Sequence, residues 1–334
     1  MAVDPRHLKE AQAKLGDQRE AHRAAQRAYQ ARCRDKVPGL AALDAAIQRT
    51  VTQAIAAALR QGTDPGPAVE AARKENQALQ AQRLALLEQA GVDPAALEDT
   101  PLCPLCRDTG RFQGKLCTCV TKLCAQENLT ELGRSLDLAQ TDFSRVSLEW
   151  YSTAFDPQYG MSSREAAKLV ADTCQRYVRD FPQELGRNLF LCGGTGLGKT
   201  FFSGCIAKGV AQKSCWTVYA TAGELFGDYE AVKFGRDEAG EAQRQVGRYQ
   251  RCDLLVLDDL GSEMTTPFVQ SALYQLLNER MNRRGHTVIS SNLTMDDVRV
   301  RYGPQVCSRL EGEYTMLPFF GKDIRLQKRE KGLA

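Results

Sequence analysis

The chain has 334 residues, 43% of them hydrophobic and 25% charged, a composition that fits an ordinary globular protein and argues against a disordered, fibrous or membrane-embedded one. It is too long for one small core, which predicts a catalytic-sized domain with accessory segments. The formal net charge of +3 gives too weak a field to argue for a nucleic-acid partner, so any such contact needs a local basic patch.

No apolar run reaches the ~18 residues needed to span a bilayer, and the start MAVDPRHLKE lacks the apolar core of a secretory signal. A cytoplasmic location is therefore expected, where twelve cysteines are not expected to form a disulfide set.

Residues 4–90 are rich in Ala, Gln, Arg, Lys, Glu and Leu, which favour helix, and 1–100 reads as a helical arm for docking a partner. Leu40, Leu43, Ile47, Val51, Ile55 and Leu59 recur at spacings of three and four; Pro38 suits a first helical turn and Gly62 an end. GTDPGP at 62–67 should break the arm, and a second helix over 68–90 should stop before Gly91 and the Asp93-Pro94 start signal. The pair reads as a helical hairpin or short coiled coil, its apolar stripe available for packing within the pair or for docking.

Residues 101–124 form a cysteine module. Cys103 and Cys106, then Cys117 and Cys119, supply the four thiolates of a closed, structural Zn²⁺ site, with an Fe–S cluster as the alternative. One residue between the second pair is tighter than the usual two, so Cys124 is a possible replacement ligand. Residues 125–187 read as a mixed linker containing FSRVSLEWYS and the helix-like SSREAAKLVADTCQRYVRDF.

From 188 to 334 short apolar runs (NLFLC, CWTVYA, DLLVLDD, HTVISSN, YTMLPF) alternate with helical patterns, one of them over 267–284. This predicts an α/β domain with a parallel sheet and crossover helices. Gly193, Gly194, Thr195, Gly196, Leu197, Gly198, Lys199 and Thr200 match the P-loop pattern between a strand and a helix. Backbone N–H groups of such a loop surround phosphate oxygens, Lys199 neutralises the terminal phosphates, and Thr200 offers its hydroxyl to Mg²⁺, so ATP is the expected ligand.

Asp258 and Asp259 close a buried-strand pattern. Asp258 is placed to hold Mg²⁺ and Asp259 to polarise the attacking water, with Glu263 as a substitute base. Asn292, at the end of the HTVISSN run, is the candidate polar sensor of the γ-phosphate.

The strings GGTGLGKT, LLVLDDLGSE, LLNERMNRRGHTVISSNL, YGPQVCSRL and GKDIRL resemble the AAA+ ATPase domain of the bacterial replicative helicase loaders of the DnaC/DnaI family, and the related IstB-type transposition helpers share this core. The resemblance covers residues 140–330. It implies that Arg309 acts as an arginine finger on a neighbouring subunit and Arg325 as a second sensor, each a planar, always-charged fork for phosphate oxygens. It further implies self-association through the ATPase domain, a DnaB-type helicase hexamer as partner, and single-stranded DNA held by an insertion over 226–251. Tyr229, Lys233, Phe234, Arg236 and Arg244 mix aromatics with cations there. The competing readings are an IstB-like transposase helper and a non-hydrolysing ATP-binding adaptor.

Overall fold

The computed structural model describes residues 3–59, 66–183 and 186–332. The chain divides into two compact units, Ala13–Cys117 and Met1–Gln12 with Thr118–Ala334. Among the described residues, no helix is long and apolar enough to cross a membrane.

The helical unit is built from α1 (Pro5–Lys36, its first turns belonging to the other unit), α2 (Leu40–Ala58) and α3 (Gly66–Gln89), followed by the hairpin β1 (Arg111–Phe112) and β2 (Lys115–Leu116). Its small core holds Val37, Leu40 and Leu87. The Asp44 carboxylate on α2 accepts Arg34 Nε at 3.2 Å and Arg83 Nε at 2.8 Å, so one acid anchors all three helices.

The expected apolar stripe divides. Leu40 is buried and Leu43 and Ile47 half-buried, but Val51, Ile55 and Leu59 are 50%, 57% and 76% exposed. Each four-residue step overshoots a full helical turn by about 40°, so the stripe rotates away from α3 while Thr50 and Ala54 turn towards it. Of the break expected at 62–67, residues 62–65 lie outside the described residues, and Gly66 and Pro67 already belong to α3.

The larger unit contains α4 (Thr118–Ser135), the hairpin β3 (Phe155–Asp156) and β4 (Met161–Ser162), and α5 (Ser163–Asp180). After these come β5 (Asn188–Gly193), α6 (Lys199–Gln212), β6 (Thr217–Thr221), α7 (Ala222–Lys233), α8 (Glu241–Arg251) and β7 (Leu254–Leu260). The chain continues through α9 (Pro267–Asn282), β8 (His286–Ser291), α10 (Met295–Tyr302), α11 (Pro304–Glu313), β9 (Tyr314–Phe319) and α12 (Ile324–Glu330).

Strands β6, β7, β8, β5 and β9 form one sheet in that order, every pair parallel. Because successive side chains on a strand point to opposite faces, Leu254 and Val256 enter one core with α4, α5 and α6, while Leu255 and Leu257 enter the other with α7, α8, α9 and α11. Near-continuous apolar strands are what a sheet covered on both faces requires. At the outer edge, the Asn128 side-chain amide binds both backbone groups of Thr217, at 2.7 and 3.0 Å, and so closes that stretch of strand.

The five apolar runs of the sequence form the five sheet strands. Residues 125–187, expected to be a mixed linker with one helix-like stretch, carry most of α4 and, at that stretch, all of α5, and both helices pack on the sheet through Leu132, Val170, Ala171, Cys174 and Tyr177. The start of the chain, expected within the arm, belongs to this unit as well. The buried Asp4 carboxylate accepts Arg248 Nε at 2.6 Å, and Glu131 accepts His7 Nε2 at 2.8 Å.

Candidate nucleotide site

A cavity of about 640 Å³ opens at the carboxyl ends of β5, β7 and β8. Its lining brings together Thr195 to Thr200, Asp258, Asp259, Ser290, Asn292 and Arg325. Here the P-loop leaves β5 and returns into α6.

Gly196 sits at φ +75°, and a Cβ there would lie 2.0 Å from the Asp323 carboxylate. That carboxylate accepts the Arg325 and Leu326 amides at 2.7 and 3.3 Å, and Ile324 N donates to Gly196 O at 2.9 Å, so the loop and the start of α12 are tied together. Lys199 is 8% exposed and its ammonium donates to Gly193 O at 2.8 Å and Gly194 O at 2.7 Å. Burial lowers its pKa, opposed by the nearby Asp259 and Asp258 carboxylates.

Asp258 is 4% exposed. One of its oxygens accepts the Tyr219 hydroxyl at 2.6 Å and the other accepts the Ser290 hydroxyl. Burial and the Asp258 charge raise the Tyr219 pKa far above the phenol range, so this hydroxyl stays a donor. Asp259 is exposed, with a left-handed backbone at φ +57°, a conformation that Asp tolerates better than most residues. It falls where the β7–β8 register shifts between Leu257 and Leu260. Asn292 is exposed one residue beyond β8. Glu263 does not line the cavity: its carboxylate is held by the Gly261 amide at 2.9 Å and by the Tyr302 hydroxyl.

The rest of the lining was not foreseen from the sequence. Leu136, Val146, Trp150, Tyr151, Ile324 and Lys328 belong to it, a mainly apolar and aromatic set. Tyr151, whose pKa burial raises to about 12, donates its hydroxyl to Leu197 O at 2.8 Å and so joins this part to the P-loop. Lys331 and Lys328 lie 4.8 and 5.7 Å from the Trp150 ring centre. The only trace in the sequence was the aromatic string FSRVSLEWYS, with nothing to place it.

Arg309 is on α11, outside the cavity, beside Tyr274 of α9, whose hydroxyl pKa Asn278 and Arg309 together lower. Lys233 ends α7 and Phe234 caps it, 61% exposed, with Arg236 5.8 Å from its ring centre. The other residues singled out in that insertion are dispersed: Tyr229 packs on the core, and Arg244 pairs with Glu241 at 2.8 Å.

The cysteine module brings Cys103, Cys106, Cys117 and Cys119 together with all four sulfurs within 4.8 Å of one another, and Cys103 Sγ lies 3.7 Å from Cys117 Sγ. A tetrahedral Zn²⁺ with bonds of about 2.3 Å needs sulfurs about 3.8 Å apart, so the set fits zinc, though four thiolates also suit an Fe–S cluster. The buried Asp108 carboxylate accepts the Cys103 amide at 2.8 Å and the Leu102 amide at 3.2 Å, shaping the turn between the first two cysteines and the hairpin. Cys124 is not in the group; its thiol faces His7 O at 3.8 Å.

A five-stranded parallel sheet with this strand order, a P-loop after β5, paired acids at the end of β7 and a polar end to β8 is the fold of an AAA+ P-loop ATP-binding protein. The chain belongs to the family described as IstB-like ATP binding protein, whose sequence pattern matches residues 122–328, more than half of it.

Among curated relatives, the chromosomal replication initiator protein DnaA of Wolinella succinogenes is 26% identical over 156 residues, 45% of this chain and 34% of that protein. The putative insertion sequence ATP-binding protein y4pL of Sinorhizobium fredii is 26% identical over 149 residues, 43% of this chain and 59% of that one. The chain thus spans about a third of the length of the DnaA relatives it matches. Among solved structures, the DnaC helicase loader aligns with a TM-score of 0.42 at 20% identity, covering 53% of this chain and 98% of that one. DnaI aligns at 0.43 and 18% identity, covering 57% and 93%.

Proposed function

We propose that this protein hydrolyses ATP to control a helicase-loading cycle: it grips a hexameric replicative helicase of the DnaB type, helps place it on single-stranded DNA, and is released on hydrolysis. The observation that carries the ATPase part is the convergence of Lys199, Thr200, Asp258, Asp259, Asn292 and Arg325 on one cavity, with Arg309 standing outside it. Lys199 and Arg325 balance phosphate charge, and Thr200 and Asp258 hold Mg²⁺, which when bound draws charge from the phosphate oxygens.

Asp259 orients the attacking water and takes its proton, and Asn292 contacts the γ-phosphate. Arg309 completes the site of a neighbouring copy, so turnover depends on self-association. The arm and the zinc-bearing cysteine module supply the grip on the helicase. Phe234 with Lys233 and Arg236 is the candidate contact for a single strand, an exposed ring beside cations.

Steady-state turnover with helicase and DNA present tests the ATPase reading; a wild-type rate no higher than that of Lys199→Ala overturns it. Native mass spectrometry of the full-length chain with its host's replicative helicase, in ATP and in ADP, tests the loader reading; no complex in either nucleotide overturns it. The insertion-sequence relative favours one second reading, a transposition helper that coats duplex DNA. ATP-dependent binding to long duplex DNA, without helicase binding, is the result that selects it.

A further inference from the structure

We propose that Tyr219 and Ser290 are positioning residues that fix the Asp258 carboxylate for its metal, an inference that rests on the ATPase reading. Neither belongs to the P-loop or to the acidic pair. Three adjacent strands meet at this point: Tyr219 comes from β6, Asp258 from β7 and Ser290 from β8. On β6, Thr221 pairs with Asp258, and Tyr219, two residues earlier, shares that face of the sheet. Its hydroxyl is 2.6 Å from Asp258 Oδ2, and the Ser290 hydroxyl donates to Oδ1.

Ser290 is 1% exposed and has a second task, accepting the Asp259 amide at 3.0 Å. A hydroxyl has one proton, so donating to Asp258 while accepting from Asp259 gives Ser290 one orientation. It thereby clips the irregular turn of β7 at both acids at once. Ser203 is a weaker candidate for the same task, because its hydroxyl lies 2.7 Å from Lys199 O and 3.4 Å from Asp258. Each carboxylate oxygen offers about two acceptor positions; Oδ1 takes Ser290 and the long Ser203 contact, and Oδ2 takes Tyr219 alone and keeps capacity for the metal or a water bound to it.

The experiment is a Mn²⁺ titration followed by electron paramagnetic resonance on the full-length protein with the non-hydrolysable analogue AMPPNP, comparing wild type with Tyr219→Phe, Ser290→Ala and Ser290→Thr. Partners of this kind are worth about 10–100-fold in metal affinity. We expect Mn²⁺ binding to weaken about 10-fold in Tyr219→Phe and further in Ser290→Ala, with Ser290→Thr close to wild type and AMPPNP affinity in EDTA unchanged in Tyr219→Phe, which lies outside the cavity lining. Mn²⁺ affinities equal to wild type in both Tyr219→Phe and Ser290→Ala overturn the proposal. If Ser290→Ala does not fold, Tyr219→Phe, which removes one oxygen and keeps the ring, decides alone. A wild type that binds no Mn²⁺ with AMPPNP removes the ATPase reading itself and this inference with it.

Discussion

The phosphate end of the cavity is made from one run of consecutive residues, Thr195 to Thr200, and closed by two acids that follow each other in β7. The rest of the lining is gathered from Leu136, Val146, Trp150, Tyr151, Ile324 and Lys328, which come from three separated parts of the chain. The first end is charged, held by backbone carbonyls and buried hydroxyls. The second is mostly aromatic and aliphatic surface with lysines at its rim. On the ATPase reading the base of ATP lies against this second part, the base wall, so substitutions at the phosphate end should remove a function and substitutions at the base wall should only tune affinity.

The largest effect is expected from Lys199→Ala. It deletes a buried ammonium that on the ATPase reading turns to the phosphates, where charge-assisted hydrogen bonds contribute about 1.5–3 kcal/mol each. ATP affinity measured by calorimetry should fall about 100-fold or more. An unchanged affinity breaks the assignment of this end to phosphate.

Asp259→Asn comes next. Asn also tolerates the left-handed backbone at this position, so the fold and ATP binding should persist while single-turnover hydrolysis falls about 100-fold, the typical contribution of a general base. A variant that binds and turns over like wild type moves the base elsewhere. Gly196→Ala should cost about 2 kcal/mol in chemical denaturation, because it forces an L-residue to φ +75° and drives its Cβ into the Asp323 carboxylate that caps α12.

At the base wall, Trp150→Ala should weaken ATP, ADP and AMP alike by roughly 5-fold, about 1 kcal/mol of stacking, with kcat unchanged. A change confined to ATP would place Trp150 at the phosphate end instead.

The same contrast explains what the sequence made legible. The P-loop and the acidic strand are local patterns whose spacing carries their chemistry, and the five apolar strands announce a sheet buried on both faces. The base wall has no local pattern: Trp150 and Lys328 acquire a joint role only when α12 returns to the P-loop. In 125–187 the helix of SSREAAKLVADTCQRYVRDF was read from the sequence, but α4 and the packing of both helices on the sheet were not, for a related reason. The buried face of α5 is made mostly of small residues, Ala166, Ala167, Ala171 and Cys174 beside Val170 and Tyr177, and α4 buries Glu127 and Asn128 among its apolar residues, so neither run announces a face that packs on a sheet. In the arm, the stripe was legible but its rotation about α2 was not, since spacings of three and four both read as helical.

The smallest predicted effect falls where the two ends join. Tyr151 contributes its ring to the base wall and its hydroxyl to Leu197 O of the P-loop. Tyr151→Phe keeps the ring and leaves that carbonyl without its partner, a loss of about 1 kcal/mol, near the value of an ordinary neutral hydrogen bond. If the ends act independently, the cost appears in thermal stability and leaves the ratio of ATP to AMP affinity at its wild-type value. If the hydroxyl transmits the position of the base wall to the loop that holds the phosphates, ATP affinity falls while AMP affinity does not. Repeating the comparison in Trp150→Ala separates the cases: non-additive losses in ATP affinity show that the two ends are coupled, and additive losses show that they are not.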